Sequence, residues 1–193
     1  MGPTVGVGST RPGRRAATVA RWVAGLARHD DATVDIVDLA DHPLPHLDEP
    51  VPPMMGKYFN PHTRDWSATI AGYDAYIFVT PEYNHSTSGV LKNALDFLFA
   101  EWNDKAAGFV SYGVDGGTRA VEHLRLVAGE LRLADVRSQV PLVLSRDFAG
   151  DEVRPSGNQP DKLRAMVDEL VAWGGALRAL RTGTGPAVAA RGR

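Results

Sequence analysis

The sequence predicts an α/β fold in which a doubly wound, five-stranded parallel sheet carries helices on both faces. Short apolar runs alternate along the chain with segments whose apolar residues recur at helical spacing, which is typical of repeated strand–helix–strand units. The chain has 193 residues, and a chain of this size can bury about 70% of its unfolded surface in one core. It shows no internal repeat. One domain over residues 1–182, with a mobile C-terminal tail over 183–193, is therefore expected.

Five apolar runs are predicted to form the strands, near 3–7, 33–37, 75–80, 107–111 and 138–144. The third run, AYIFVT, is largely apolar, aromatic and β-branched, as expected of a parallel strand that is buried on both faces. In an open sheet of this kind, ligands bind at the carboxyl ends of the strands. The loops that follow the runs are therefore the candidate site.

Four segments have the apolar periodicity of helices that pack one face on the sheet. The first face is formed by Val19, Trp22, Val23 and Leu26; the second by Val90, Leu91, Ala94, Leu95 and Leu98; the third by Val121, Leu124, Val127 and Leu131; and the last by Leu163, Met166, Val167, Leu170 and Leu177. Residues 42–62 contain six prolines, which remove backbone donors and restrict their neighbours. This proline-rich stretch is predicted to be an extended excursion.

Composition narrows the possible functions. The chain has no cysteine, which excludes disulfides, thiolate metal sites and a cysteine nucleophile, and fits a reducing compartment. Its formal net charge of −2 argues against a broad nucleic-acid-binding surface. Without a recognisable signal peptide or membrane span, a cytoplasmic protein with no membrane or nucleic-acid partner is expected. The first 29 residues hold five arginines and no acidic residue, which indicates an anionic ligand there.

The loop after the first strand is similar to two phosphate-binding motifs but matches neither. Gly6 and Gly8 begin a dinucleotide fingerprint, yet Arg11 occupies its third glycine position. Gly8 and Gly13 have the spacing of a P-loop, but arginines stand where the lysine and the magnesium-binding hydroxyl belong. What remains is a turn into a helix, whose free amides and positive dipole favour a phosphate monoester without a metal ion.

The candidate phosphate ligands belong to this turn and to the start of the helix: Ser9, Thr10, Arg11, Arg14, Arg15 and Ala16. The alternative is an ordinary strand-to-helix turn with solvated arginines. The loop after the third strand argues against it, because Pro81, Glu82, Tyr83 and Asn84 offer amides, a phenol and a carboxamide directly beyond a buried strand. Two of these also have structural interpretations: Tyr83 as an aromatic packed at the strand end, and Asn84 as a cap of the next helix.

The motif PEYN (81–84) followed by LKNALD, together with GSTRPGRR (8–15), resembles the signature of the NADPH-dependent FMN reductase family of flavodoxin-like proteins. The resemblance runs from about Val5 to about Arg181 and includes DLADHPLPHLDEP, HTRDW and the SYG of 111–113. It departs at the start, where the family has a longer apolar first strand and this chain has MGPTVGV. The resemblance implies a flavodoxin-like strand order, 2-1-3-4-5, in which the loops after strands one and three flank the ligand.

The resemblance also implies where FMN binds. Its phosphate would lie at residues 9–16 and its isoalloxazine ring against 81–84, with Ser111, Tyr112, Gly113 and Gly116 on the other side of the ring. NADPH or NADH would be the reductant. The electron acceptor would be a small molecule such as a quinone, an azo compound, free flavin, chromate or a ferric complex. Tyr83 and Asn84 are the candidate catalytic residues.

Two other functions remain open. A flavodoxin-type one-electron carrier would share the fold, but such carriers rely on a strongly acidic docking face, and this chain is nearly neutral. A flavin-binding redox sensor without significant turnover would share the binding residues. Hydrolase chemistry has no support, because no G-x-S-x-G motif is present.

Several polar residues are left out of the predicted site. The possible metal ligands in the proline-rich stretch lack the spacing of a known site, so no metal is expected: His42, His46, Asp48 and Glu49. Lys92 and Asp96 are interpreted as a surface pair on the helix after PEYN. His85 adjoins the ring site and is the best candidate for a proton donor, although a solvent-facing loop histidine is the simpler interpretation.

The resemblance implies a homodimer or homotetramer, and one apolar run points in the same direction. Phe97, Leu98, Phe99 and Trp102 follow the helix after PEYN and offer more apolar surface than one helix face should expose. We expect this run at a subunit interface. The alternative is a core helix whose end Trp102 covers.

Overall fold

The computed structural model describes residues 3–27 and 34–184, with a five-stranded parallel sheet at its centre. The strands are β1 (Pro3–Val7), β2 (Asp35–Asp38), β3 (Ala75–Pro81), β4 (Lys105–Gly113) and β5 (Leu133–Val143), in the order β2-β1-β3-β4-β5. Every neighbouring pair is parallel. The predicted fold class and strand order are therefore confirmed. Residue 33 of the predicted second strand and the predicted tail beyond residue 184 lie outside the described residues.

Strand β5 is the largest departure from the predicted sheet. It begins at Leu133, five residues before the predicted start near residue 138. The prediction placed the start too late because polar residues such as Asp135 and Arg137 interrupt the apolar pattern of the strand. The strand lies at the edge of the sheet, where polar side chains can reach solvent. Its pairing with β4 also shifts register between Ala107 and Phe109. This irregularity breaks the strict alternation by which a strand is recognised in a sequence.

Five helices cover the two faces of the sheet: α1 (Ala16–Leu26), α2 (Pro61–Ala71), α3 (Gly89–Asp96), α4 (Thr118–Glu130) and α5 (Gln159–Arg181). All but α2 are predicted from the sequence. Helix α2 begins with Pro61 at its first turn, where proline is tolerated, and buries Thr63, Trp66 and Ile70. The proline-rich stretch forms no α-helix as far as residue 60, as predicted, and contains a short 3-10 turn at Pro53–Met55; its last two residues, 61 and 62, belong to α2 instead. Within the described residues, no helix is both long and apolar enough to cross a membrane.

Buried apolar clusters lie on both faces of the sheet. Helices α1 and α5 contribute Val19, Val23, Met166 and Leu170 to one cluster. Helices α2, α3 and α4 contribute to the other. The helix faces predicted from spacing pack on the sheet, with one exception. Val90, at the start of α3, is 38% exposed, so its prediction as part of a core face is wrong.

The apolar run after α3 belongs to the core, so the predicted use of this run as a subunit interface is wrong. Phe97, Leu98 and Trp102 are at most 1% exposed. The Trp102 indole donates a hydrogen bond to the Leu95 carbonyl at 3.1 Å, which closes the end of the helix. These side chains fill the space between α3 and the sheet, and the apolar run gives no support to self-association.

Beyond β5, a hairpin of β6 (Phe148–Ala149) and β7 (Glu152–Val153) leads to α5. Asp147, at its base, is fully buried. Its carboxylate accepts hydrogen bonds from the Val143 amide at 2.7 Å, the Arg146 guanidinium at 2.9 Å and the Gln159 side chain at 3.2 Å. Burial alone would raise the pKa of Asp147, but the bonds from Arg146 and Val143 outweigh it and hold this pKa below its usual value.

We expect Asp147→Asn to destabilise the fold by roughly 1 to 3 kcal/mol at pH 7, because asparagine keeps the shape but loses the charge-assisted bonds. The pKa of Asp147 is lower in the folded chain than in the unfolded one. Its ionised form therefore adds stability above about pH 4, and that contribution is lost as the pH falls through the folded value.

Urea unfolding at neutral pH and at about pH 3 measures both parts of this prediction. The difference in unfolding free energy between wild type and variant should shrink at the lower pH. Asp161→Asn is the control, since the Asp161 side chain is 80% exposed. Equal effects of the two substitutions at neutral pH would contradict the prediction.

Candidate active site

Three loops meet at the carboxyl edge of the sheet, after β1, β3 and β4. Main-chain hydrogen bonds join them at their roots. The Gly8 amide donates to the Val79 carbonyl at 2.9 Å, and the Glu82 amide donates to the Tyr112 carbonyl at 3.2 Å. The loops predicted to share one ligand are therefore neighbours in the structure.

The first loop passes close to β3 and α3 before it enters α1. A Cβ atom on Gly8 would lie 2.8 Å from both the Val79 carbonyl oxygen and Leu91 Cδ2, so glycine is required there. The loop then turns through Gly13, with φ of 69°. No side chain caps α1, and its first turn, beginning at the buried Ala16, has no acidic residue. Its first amides are therefore open to an anion.

Two of the three arginines predicted as phosphate ligands already have partners. Arg14 forms an ion pair with Asp38 at the end of β2, with a nitrogen–oxygen distance of 2.5 Å. Arg15 lies 5.0 Å from the centre of the Phe148 ring and 3.7 Å from an Asp151 oxygen. Both charges are thus partly neutralised by residues that sequence reasoning missed.

Arg11 differs from its neighbours. It is exposed, it forms no ion pair within the described residues, and its guanidinium lies 5.9 Å from the centre of the Tyr83 ring. Next to it, the buried Ser9 places its hydroxyl 3.1 Å from the Tyr83 hydroxyl, while Thr10 is exposed. Arg11 and two hydroxyl groups therefore converge where the first and second loops meet.

The second loop ends in a tight turn over residues 83–86. The Tyr83 amide donates to the Ser86 carbonyl at 2.9 Å, and the Ser86 amide donates to the Tyr83 carbonyl at 3.1 Å. Asn84 and His85, both exposed at its tip, have φ of 49° and 73°. Two consecutive positive φ angles are typical of the type I′ turn of a tight hairpin, in which asparagine is common.

Helix α3 is capped by Ser88, and the interpretation of Asn84 as its cap is wrong. The Ser88 hydroxyl accepts a hydrogen bond from the Leu91 amide at 3.2 Å. It also donates to the Gly8 carbonyl, so it joins the helix start to the first loop. Asn84 is left with its side chain at the exposed tip of the turn.

The Glu82 carboxylate is committed to helix α4. It accepts hydrogen bonds from the Arg119 amide at 3.1 Å and from Arg119 Nε at 2.6 Å, and only 8% of the Glu82 side chain is exposed. On the same helix, His123 Nδ1 lies 2.9 Å from the Ser86 hydroxyl oxygen. Arg119 and His123 therefore fix the position of the second loop, and sequence reasoning missed both. Because the Glu82 carboxylate is occupied, Glu82 can contact a ligand only through its backbone.

The third loop depends on glycines for its close packing. The Ser111 hydroxyl donates to the Gly116 carbonyl at 2.7 Å. At Gly117, φ is 73°, and a Cβ would lie 3.0 Å from the Tyr112 backbone. A Cβ on Gly113 would lie 3.2 Å from the Gly117 amide nitrogen. Ser111 therefore braces the turn, and the backbone of 113–117 is compact.

Tyr112 adds a third hydroxyl between the loops. Burial raises its pKa to about 12, and the nearby Tyr83 phenol acts in the same direction. The Ser9 side chain and the Ala16 backbone hydrogen-bond to it and pull the pKa the other way. The phenol is therefore neutral at physiological pH and keeps a proton to donate.

A cavity of about 560 Å³ opens beside Tyr83. One side consists of the first and second loops, and the other consists of the proline-rich stretch and α3. Its lining residues are Ser9, Thr10, Arg11, Leu44, Pro45, His46, Tyr83, Ser88, Gly89, Val90 and Asn93. Sequence reasoning missed the walls at 44–46 and Asn93, because nothing local indicates that the proline-rich stretch returns to this edge.

The acidic residues of the proline-rich stretch bind to other residues of the same stretch. Glu49 accepts hydrogen bonds from the Phe59 and Asn60 amides at 2.8 and 3.0 Å, and Asp48 pairs with His62 at 3.0 Å. Within the described residues, no group of three or more histidines and carboxylates could hold a metal ion. The other residues left out of the site, Lys92 and Asp96, form the predicted exposed pair at 2.6 Å.

Comparison with known proteins identifies the family of this chain. Residues 4–146 match the model of the NADPH-dependent FMN reductase family. The chain belongs to this family. An NAD(P)H-dependent FMN reductase of Schizosaccharomyces pombe is 42% identical over 144 residues, which are 73% of this chain and 72% of that protein.

Two further proteins are also similar to this chain. An NAD(P)H-dependent FMN reductase of a Nectria species is 38% identical over 190 residues, covering 86% of this chain and 94% of the relative. The solved flavoenzyme NAD(P)H:(acceptor) oxidoreductase of Paracoccus denitrificans has a TM-score of 0.70 at 22% identity, covering 90% of this chain and 96% of that one. This structure supports the flavodoxin-like fold.

Family membership settles the class of activity and its cofactors. The chain is an NAD(P)H-dependent oxidoreductase that uses FMN, as the motifs PEYN, LKNALD and GSTRPGRR predict. The positions of the individual ligands of FMN stay predictions.

Proposed function

We propose that this chain binds FMN between the loops after β1, β3 and β4 and transfers reducing equivalents from NAD(P)H to a quinone. The observation that carries the proposal is the 3.1 Å contact between the Ser9 and Tyr83 hydroxyls. Through it, the anion-binding turn and the PEYN loop form one site at the open edge of the sheet.

The first turn of α1 fits a phosphate monoester. Its amides lack a side-chain cap, the Arg11 charge has no carboxylate partner among the described residues, and Ser9 and Thr10 offer hydroxyl groups. Helix N-termini bind anions through such amides and the helix dipole. Ser9, Thr10, Arg11 and the unpartnered amides of this first turn are proposed to hold the phosphate, and Arg14 and Arg15 act at longer range. The Ala16 backbone, predicted as a ligand, instead bonds to Tyr112.

The PEYN loop and the loop after β4 fit a flat polar ring. The Glu82 and Tyr83 amides are used inside the protein, so the amides of Asn84 and His85, at the tip of the turn, are the ones proposed to face a ligand. The compact backbone of 113–117 allows close approach from the other side.

When bound, FMN supplies the hydride chemistry, and the chain supplies binding and orientation. Tyr83 forms one wall beside the ring and keeps the reactants aligned. Donors at the tip of the turn and the neutral Tyr112 phenol favour negative charge near the ring.

The cavity favours a quinone among the possible acceptors. Leu44, Pro45, Val90 and the Tyr83 ring give it apolar surfaces, with a few polar side chains between them. A planar apolar ring that carries a few polar oxygens matches this combination.

The deciding experiment is an absorption spectrum of the purified protein after reconstitution with FMN, followed by anaerobic titration with NADPH and then NADH. Stoichiometric flavin binding, bleaching by the nicotinamide and steady turnover with menadione are expected. Failure to retain FMN would reject the proposed site. Retention of FMN with menadione turnover no faster than that of free FMN would reject a quinone as the acceptor.

Self-association, the single FMN-binding domain over 1–182 and a cytoplasmic location are also part of the proposal. Met54, Met55 and Phe59 are 57–68% exposed and lie in the proline-rich stretch that lines the cavity, so we expect a second copy to cover them. Light scattering at micromolar concentration should report a dimer or tetramer, and Phe59→Lys should weaken it. A single species of 20.8 kDa would contradict this expectation.

A further inference from the structure

Asn93, in the LKNALD motif, joins helix α3 to the proline-rich stretch. Its Nδ2 donates a hydrogen bond to the Pro45 carbonyl at 2.7 Å, and its Oδ1 accepts one from the Leu47 amide at 3.0 Å. The two bonds use both ends of the carboxamide and fix its orientation. They hold residues 45–47 against α3 from both sides of His46.

Residues 43–47 have little other means of holding their shape. Pro43 and Pro45 have no amide hydrogen to donate. The Leu44 amide donates to the nearby His42 carbonyl at 2.7 Å, a bond within the stretch itself. The Leu44 side chain packs against the buried cluster of α2, α3 and α4. The Asn93 carboxamide is therefore the polar tie between this segment and the body of the fold, among the residues described.

The tied segment is a wall of the cavity beside Tyr83. Leu44, Pro45 and His46 line it together with Asn93 itself. The opposite side of the cavity belongs to the loops proposed to hold FMN. A shift of the segment would therefore change the shape of the cavity without touching the first turn of α1.

We propose that Asn93 is a positioning residue for the electron acceptor: its two hydrogen bonds hold the 44–46 wall at the distance from Tyr83 that seats a planar quinone. This inference rests on the proposed function. Without the bonds, the 44–46 wall can adopt several positions. Binding of the quinone must then order the wall, and the free energy that this ordering costs weakens binding. The Michaelis constant for a quinone should therefore rise while FMN affinity stays unchanged.

The test uses Asn93→Leu, which removes both bonds at similar volume, and Asn93→Asp, which can still accept from the Leu47 amide. Lys92→Ala is the matched control, because Lys92 is adjacent on the same helix but pairs only with Asp96 at the surface. Loss of the two bonds should raise the KM for menadione roughly tenfold in Asn93→Leu. Its kcat should change less than KM, and Asn93→Asp should be intermediate.

Two further measurements separate positioning from general damage. Hydrogen exchange of the Leu47 amide should speed up roughly tenfold in Asn93→Leu and stay at the wild-type rate in Lys92→Ala. Turnover with ferricyanide, a small ion that does not need a flat apolar seat, should remain at the wild-type level in all variants. FMN dissociation constants should also be equal.

Unchanged KM for menadione in Asn93→Leu, or equal losses with menadione and ferricyanide, would overturn the inference. An unchanged exchange rate of the Leu47 amide in Asn93→Leu would show that Asn93 does not hold the segment. This exchange measurement needs no bound flavin. If the wild-type protein fails to reduce any acceptor, the proposed function fails, whereas the exchange measurement still decides whether Asn93 holds the wall.

Discussion

Replacing Tyr83 with alanine is expected to slow flavin reduction by NADPH by up to about 100-fold, because a misplacement of about 1 Å between reacting groups costs this much. The side chain stands where the first two loops meet, with its hydroxyl 3.1 Å from that of Ser9 and its ring beside the Arg11 guanidinium. FMN affinity should fall far less, since the first turn of α1 still holds the phosphate.

The Tyr83→Phe variant separates the ring from the hydroxyl. It keeps the aromatic wall and loses the contact with Ser9. If alignment by the ring dominates, Phe retains most of the activity; if the hydroxyl positions the loops, Phe loses nearly as much as Ala. Stopped-flow reduction at matched FMN occupancy distinguishes these outcomes. Tyr73→Phe is the control, because the Tyr73 hydroxyl contacts Asp35 at 3.4 Å, away from the cavity. Unchanged rates in both Tyr83 variants would make Tyr83 a packing residue.

Arg11→Ala is expected to weaken FMN binding roughly tenfold or more. A charge-assisted hydrogen bond to a phosphate contributes about 1.5 to 3 kcal/mol. Arg11 is the arginine of its loop that has no acidic partner among the described residues, so its full charge is available. The FMN dissociation constant, measured by quenching of flavin fluorescence, reports the change directly.

The structure supplies graded controls for this measurement. Arg15→Ala should have a smaller effect, since Arg15 lies over the Phe148 ring and near Asp151. Lys92→Ala, on the surface of α3, should have none. An FMN dissociation constant of Arg11→Ala equal to that of wild type would remove Arg11 from the site. A larger effect of Arg15→Ala than of Arg11→Ala would contradict the expectation that the arginine without an acidic partner contributes more.

The sequence by itself determined the five strands of the parallel sheet, apart from the start of β5, four of the five helices described, and the loops that are proposed to carry the site. Strand β3 is recognisable because it is buried on both faces and therefore largely apolar. Helices α1, α3, α4 and α5 each show their buried face as a repeat of three to four residues. The order of the strands and the cofactor followed from the resemblance carried by PEYN, LKNALD and GSTRPGRR. Helix α2 escaped prediction because its few buried residues follow a proline-rich stretch.

Only the tertiary structure decided which polar side chains are free to act. Arg14 is paired with Asp38, and Glu82 is committed to Arg119, 37 residues away in the sequence. Asn93 binds the main chain of 45–47. Hydrogen bonds and ion pairs of this kind join residues that the fold brings together from distant parts of the chain. Local spacing carries no information about such partners, so the availability of each charge depends on the tertiary packing.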